Sequence, residues 1–173
     1  MGGGAILQEV FPMLDKLMLE MTRFYHGDPM CIQHFTKVHA FCRYIGRHSG
    51  LSEDELFTLE AAAYTHDIGI KPAREKYGSG DGPLQEKEGP GVARPMLEKL
   101  GFAPAVIDRV CWLIAHHHTY SPVDGPDHRI LIEADFLVNL FEGKSSREAI
   151  QSAYDKMFET EAGKELCREM FDL

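Results

Sequence analysis

Apolar residues recur at three- and four-residue steps from the start of the chain, in Ile6, Val10, Leu14, Leu17 and Met21, which is the helical period and not the strand period. Similar stripes continue throughout. Asp28 and Pro29 supply an N-cap and a first-turn proline for a helix over about 29–49, and Ser52 with Glu55 forms a capping-box pattern for the next, over about 53–68. Further helices are predicted from about 86 to Gly101, from Pro104 to about 117, and over 129–142. Ser145 with Glu148 caps a seventh, and Thr160 begins a short last one. Two Gly- and Pro-rich stretches, about 70–85 and 119–128, are predicted as loops, each directly after a histidine-bearing helix. Neither has the character of a domain linker. The expected fold is therefore all-α, a compact single-domain bundle of seven to eight helices over residues 1–173. GSGDG at 78–82 lacks the preceding strand and the following GK[ST] of a phosphate loop, and is read as a flexible turn.

Composition narrows the setting. At 173 residues, 44% hydrophobic and 26% charged, the chain suits one buried core and is too mixed for a disordered segment or a membrane span. It shows no secretory or lipidation signal, so a cytoplasmic, membrane-free protein is expected. Cys31, Cys42, Cys111 and Cys167 have no CxxC spacing and read as thiols of a reducing compartment. A formal net charge of -9 argues against nucleic-acid polymers as partners. An anionic substrate would need a metal or a local cluster of bases to hold it.

Nine histidines direct attention to chemistry, and their placement matters more than their number. His34 opens the stripe His34, Val38, Phe41, Ile45. His117 and His118 end two neighbouring stripes, Val106, Val110, Leu113 and Ile107, Cys111, Ile114. Asp135 shares a face with Leu131 and Val138, where an unpaired carboxylate would cost several kcal/mol, and this calls for a cation. His66 and Asp67 place an imidazole beside a carboxylate at a helix end. Each group alone has an ordinary structural explanation; the ordered set points to metal ligation. His26, His39 and His48 lie off the inward stripes and are expected at the surface.

With His34 in HFTKV, His66 and Asp67 in HDIG, His116, His117 and His118 in HHHT, and Asp135 in EAD, the sequence resembles the HD-domain superfamily of metal-dependent phosphohydrolases over about residues 28–142. The resemblance implies an HD-type helical fold with flanking helices at both ends. It also implies a divalent metal (Mn, Fe, Ni, Zn or Mg) on His34, His66, Asp67 and Asp135, with a second candidate site on His117 and His118. Family members with two metals are similar in carrying a histidine where this chain has Gln85, so one tight ion is expected and Gln85 becomes a substrate contact. The chain has SPVDGPD where cyclic-di-GMP phosphodiesterases carry a GYP loop, and Ile70 where nucleotidase-like members carry an acid.

The implied activity is hydrolysis of a small phosphate ester or anhydride, with a nucleotide the leading substrate, as a phosphomonoesterase or phosphodiesterase. Asp67, His117, His118 and Lys71 are the catalytic candidates. Lys71, Arg74, Gln85 and His116 are the substrate-binding ones, with Lys71 expected to reach the site because it follows Asp67 by four positions. Two alternatives stay open at this point: a di-iron oxygenase, and a non-catalytic module that senses metal or nucleotide.

Overall fold

A computed structural model describes residues 3–173, with side chains from Pro12 onward. Among the described residues there are nine helices: α1 (Gly3–Phe24), α2 (Pro29–His48), α3 (Glu53–Thr65), α4 (Ile70–Tyr77), α5 (Gly82–Leu100), α6 (Pro104–Ile114), α7 (Gly125–Glu142), α8 (Arg147–Met157) and α9 (Glu161–Phe171). No strand occurs among those residues, and no described helix is long and apolar enough to cross a membrane. In the first stripe Leu14, Leu17 and Met21 are buried, while the side chains of Ile6 and Val10 lie outside the described residues.

Most of the boundary signals do what their chemistry dictates. Asp28 accepts a hydrogen bond from the Cys31 backbone N–H at 3.0 Å, and Ser52 and Glu55 form the reciprocal box. Gly101 ends α5 in the left-handed conformation, and Thr160 accepts from the Gly163 N–H. Other boundaries shift. The N-cap of α8 is Ser146, not Ser145. Residues 70–85, expected as loop, contain α4 and the first turn of α5, because Ala73 gives that stretch a buried anchor and Gly78 a left-handed stop. Pro126 opens α7 as a first-turn proline, so the second expected loop ends at Asp124. In turn α6 stops at Ile114, and His116, His117 and His118 sit in the turn beyond it.

Helix α3 lies at the centre, buried on nearly every side from Leu56 to Thr65, and it packs against α1, α2, α6 and α7. Its small Ala61, Ala62 and Ala63 let those neighbours approach closely. Cys42, Cys111 and Cys167 are core thiols, whereas Cys31 is only half-buried; all four are free. Helix α9 is held by Glu133, a fully buried residue of α7. Its carboxylate accepts from the backbone N–H of Glu159 (2.7 Å) and of Thr160 (2.9 Å), and from the Thr160 hydroxyl (2.5 Å).

The turn after α3 depends on one close approach. A Cβ on Gly69 would meet the backbone carbonyl of Gln85 well inside van der Waals contact, so α5 passes the turn only because that side chain is missing. Gly69 has an ordinary φ of -73°, so steric contact alone decides its replacement. Gly69→Ala is expected to lower the unfolding free energy by about 1–3 kcal/mol, as overpacking does. Gly91→Ala, at an open position on the same helix α5, should raise it by up to about 1 kcal/mol through helix propensity. Urea denaturation of both variants checks the pair.

Candidate metal centre

Four segments converge on one point. His34 comes from the second turn of α2, His66 and Asp67 follow the last turn of α3, His117 lies in the turn after α6, and Asp135 is in the middle of α7. His34 Nε2 is 3.1 Å from Asp135 Oδ1, 3.2 Å from Asp67 Oδ2 and 3.2 Å from His66 Nε2. His66 Nε2 is 3.4 Å from both Asp67 Oδ2 and Asp135 Oδ1, and His117 Nε2 is 3.4 Å from Asp67 Oδ1. Asp67 therefore presents one oxygen to the His34 and His66 side and the other to His117.

Helix ends explain how the rings are aimed. The last four carbonyls of a helix lack N–H partners from within it, and a ring N–H just beyond can occupy one. His66 Nδ1 donates to the Ala63 carbonyl at 2.8 Å, and His117 Nδ1 to the Ile114 carbonyl at 2.7 Å. A carbonyl only accepts, so in each ring Nδ1 carries the proton and Nε2 is directed into the cluster. His34, inside a helix, has no such free carbonyl; its Nδ1 lies 2.9 Å from Glu142 Oε2. Tyr25 adds a further support by donating its hydroxyl hydrogen to the Asp67 carbonyl at 2.6 Å.

The electrostatics match a cation site. Burial opposes the charged form of His34 and of His66, yet the adjacent Asp135 and Asp67 carboxylates raise both imidazoles above their ordinary 6.5, His66 strongly. Burial would likewise raise Asp67 and Asp135, but the facing histidines hold both carboxyls below the usual range. Protons thus take the place a cation would fill. His117 Nε2 is buried with only the Asp67 Oδ1 atom before it, at a long 3.4 Å. Two donor sets are close enough to hold an ion, His34 with His66 and Asp67, and Asp67 with His117 and His118. An imidazole and carboxylate set of this kind fits a divalent transition ion or Mg²⁺.

His118 is placed differently. Its Nε2 is 3.1 Å from the Gln85 side-chain oxygen, whose orientation is fixed because the Gln85 amide donates to the Gly80 carbonyl at 2.6 Å. His118 Nε2 is therefore a donor. Burial, followed by the neighbouring His117, lowers its pKa and keeps it neutral. Glu86 fixes the turn by accepting from the His118 backbone N–H (2.9 Å) and the Thr119 hydroxyl (3.0 Å), while Glu88 pairs with Lys76 and Tyr77.

Above the cluster opens a cleft of about 230 Å³ lined by residues including His34, Asp67, Gln85, His118, Asp135 and Asn139. Three sequence-predicted substrate contacts do not line it. Lys71 and Arg74 line a neighbouring cleft with Phe24, Tyr25, His26 and Asp28, where the Lys71 ammonium donates to the Phe24 carbonyl at 3.3 Å. The four-residue step from Asp67 misled because the chain turns before α4 starts, so the helical phase is not continuous. His116 stacks on Trp112 with ring centroids 4.0 Å apart and donates to the Trp112 carbonyl, turned from its two neighbours. His128, buried beneath that turn, donates from Nε2 to the His116 carbonyl. His26 and His48 are exposed as expected, but His39 is half-buried, stacked on Tyr64 and 2.9 Å from Glu60. Two supports escaped the sequence reading, Tyr25 and Glu142. For Glu142 a signal existed, since it follows Asp135 by two helical turns on the same face.

No curated protein matches the chain. Among solved structures, a predicted HD superfamily hydrolase from an uncultured Thermotogales bacterium is 22% identical, with a TM-score of 0.60 over 96% of this chain and 85% of its own. Bacillus subtilis YpgQ is 16% identical, with a TM-score of 0.65 over 94% of this chain and 90% of its own. The HD domain family model matches residues 31–165, further toward the C-terminus than the motifs alone reach, and the chain belongs to the HD-domain family.

Proposed function

We propose that the protein is a metal-dependent phosphohydrolase acting on one small phosphate ester or anhydride, a nucleotide first among them. The observation that carries this reading is the convergence of His34, His66, Asp67 and Asp135 at and beneath the 230 Å³ cleft, with imidazole nitrogens 3.1–3.4 Å from carboxylate oxygens. These four residues would hold the ion. A bound divalent cation lowers the pKa of water and polarises a phosphoryl oxygen, the chemistry that phosphate-ester hydrolysis needs. Asp67, with its second oxygen toward His117, orients the attacking water; His117 offers a lone pair at Nε2 and serves as a second-ion ligand, not as an acid. His118 is the donor of the pair, and its Nε2 proton is directed toward Gln85 and the cleft, where a phosphoryl or leaving oxygen can take Gln85's place. With His118 so engaged, one ion is held tightly and a second weakly.

Protein purified without chelator should contain about one divalent ion per chain, read by elemental analysis, and Gln85→His should raise this toward about two by adding an imidazole to the second donor set. Two irons in the unaltered protein would instead favour an oxygenase. Asp67→Ala should lose metal and phosphate release together, by more than the roughly 10- to 100-fold typical of ligand supports. Lys71→Ala, outside the cleft, should leave both within about twofold, as surface changes do. Phosphate release from a panel of mononucleotides, cyclic nucleotides and sugar phosphates, with and without EDTA, is the assay. A metal-loaded protein that turns over none of them overturns the proposal.

Metal affinity should also depend on pH in a fixed direction. His34 and His66 are protonated more readily than free imidazole, so protons compete with the ion beginning above pH 6.5. As pH falls, the dissociation constant should rise on the order of tenfold per unit for each proton displaced. Titration calorimetry at several pH values in two buffers of different ionisation enthalpy counts those protons. An affinity flat between pH 5 and 8 would place the ion elsewhere.

A further inference from the structure

We propose that Glu142, the last residue of α7, is a positioning residue for the metal centre: it fixes His34 in the tautomer that directs Nε2 at the ion. This rests on the metal-binding reading above and adds a residue to it.

The argument begins with a difference among the three histidines of the cluster. His66 and His117 stand just past helix C-termini and return their Nδ1 protons to carbonyls of their own last turns, Ala63 and Ile114. His34 is in the second turn of a twenty-residue helix, where the carbonyls behind it are engaged by the helix itself. Its ring takes its acceptor from another element. Glu142 supplies it, with Oε2 2.9 Å from Nδ1. An ionised carboxylate has no hydrogen to give, so the shared proton belongs to His34 Nδ1, and Nε2 is left facing Asp67, Asp135 and His66.

The carboxylate is itself held. Lys37, one turn after His34 on α2, places its ammonium 2.7 Å from the other oxygen of Glu142. Asp135 and Glu142 are two turns apart on one helix, so α7 contributes both a ligand and the group that aims the ligand opposite. A charged acceptor makes the imidazole more electron-rich than a neutral carbonyl does, so His34 should be the strongest nitrogen donor of the set.

The test is Co²⁺ binding to the purified, metal-stripped full chain, followed by calorimetry and by the visible absorption of the bound ion. Glu142→Ala should raise the Co²⁺ dissociation constant on the order of 10- to 100-fold and alter the visible band, with the circular dichroism melting curve unchanged in shape. Glu142→Gln keeps an oxygen able to accept from Nδ1 and should restore affinity to within about threefold of the unaltered protein. Glu142→Leu, which fills much of the same space and has no acceptor, takes the place of the Ala variant if that one unfolds. Folded acceptor-free variants that bind Co²⁺ as tightly as the parent overturn the proposal. A Gln variant as weak as the Ala variant does so too, because the accepted hydrogen bond would then not be what matters. If the parent protein itself takes up no Co²⁺, the metal reading fails first, and the variants are not the cause.

Discussion

Two carboxylates at the floor of a cleft, each in contact with imidazole nitrogens, set the terms for the rest of the molecule. Asp135 is 4% exposed, and such a charge is tolerated in a helical core only if positive charge or donors surround it. Each neighbouring element meets that demand from a different direction. Helix α2 brings His34, the end of α3 brings His66, and the turn after α6 brings His117 to the far oxygen of Asp67. The packing order follows, because α3 must lie centrally for its terminus to reach the junction, and only small side chains such as Ala61, Ala62 and Ala63 leave room for its neighbours. The centre is thus a place where the fold's burial and the site's charge are one problem.

Ordered rings solve it with little added structure. Helix termini have spare carbonyls whether or not any chemistry occurs, and histidines placed one to three residues beyond them occupy those carbonyls and gain a fixed tautomer. His116 shows that this geometry is not sufficient for a role. It makes the same kind of bond to Trp112, but its ring stacks on the indole and supports the turn. On the same short turn His117 faces Asp67 and His118 lines the cleft.

How much of this could be read from residues alone divides along physical lines. The residues that converge on the cluster were legible where polar groups interrupt apolar stripes, as Asp135 interrupts Leu131 and Val138. Helix starts with a capping side chain were legible for the same local reason, as at Asp28, Ser52 and Thr160. What failed was extrapolation across a turn. Lys71 was assigned to the site by counting residues from Asp67, but the phase of α4 is set afresh after Gly69, where α5 crosses the backbone. The Gly-rich stretch at 70–85 hid a helix because glycine and proline there mark its ends, not its absence. Gln85 was visible as an anomaly, but that it would restrain His118 depended on the Gly80 carbonyl, a contact no spacing encodes.

The buried carboxylate of Glu133 carries a consequence for the C-terminal end of the chain. Its three donors all come from Glu159 and Thr160, at the entrance to α9, and it lies two residues from Asp135 on the same helix. A chain cut short before Glu159 would strand that charge inside the bundle. The segment of α7 bearing it would then gain by unwinding or rotating toward water. Asp135 would be carried along. Glu159 and Thr160, which do not line the cleft, thus satisfy the buried charge on the helix that carries Asp135, and Phe158 and Cys167, flanking them in the chain, belong to the same core.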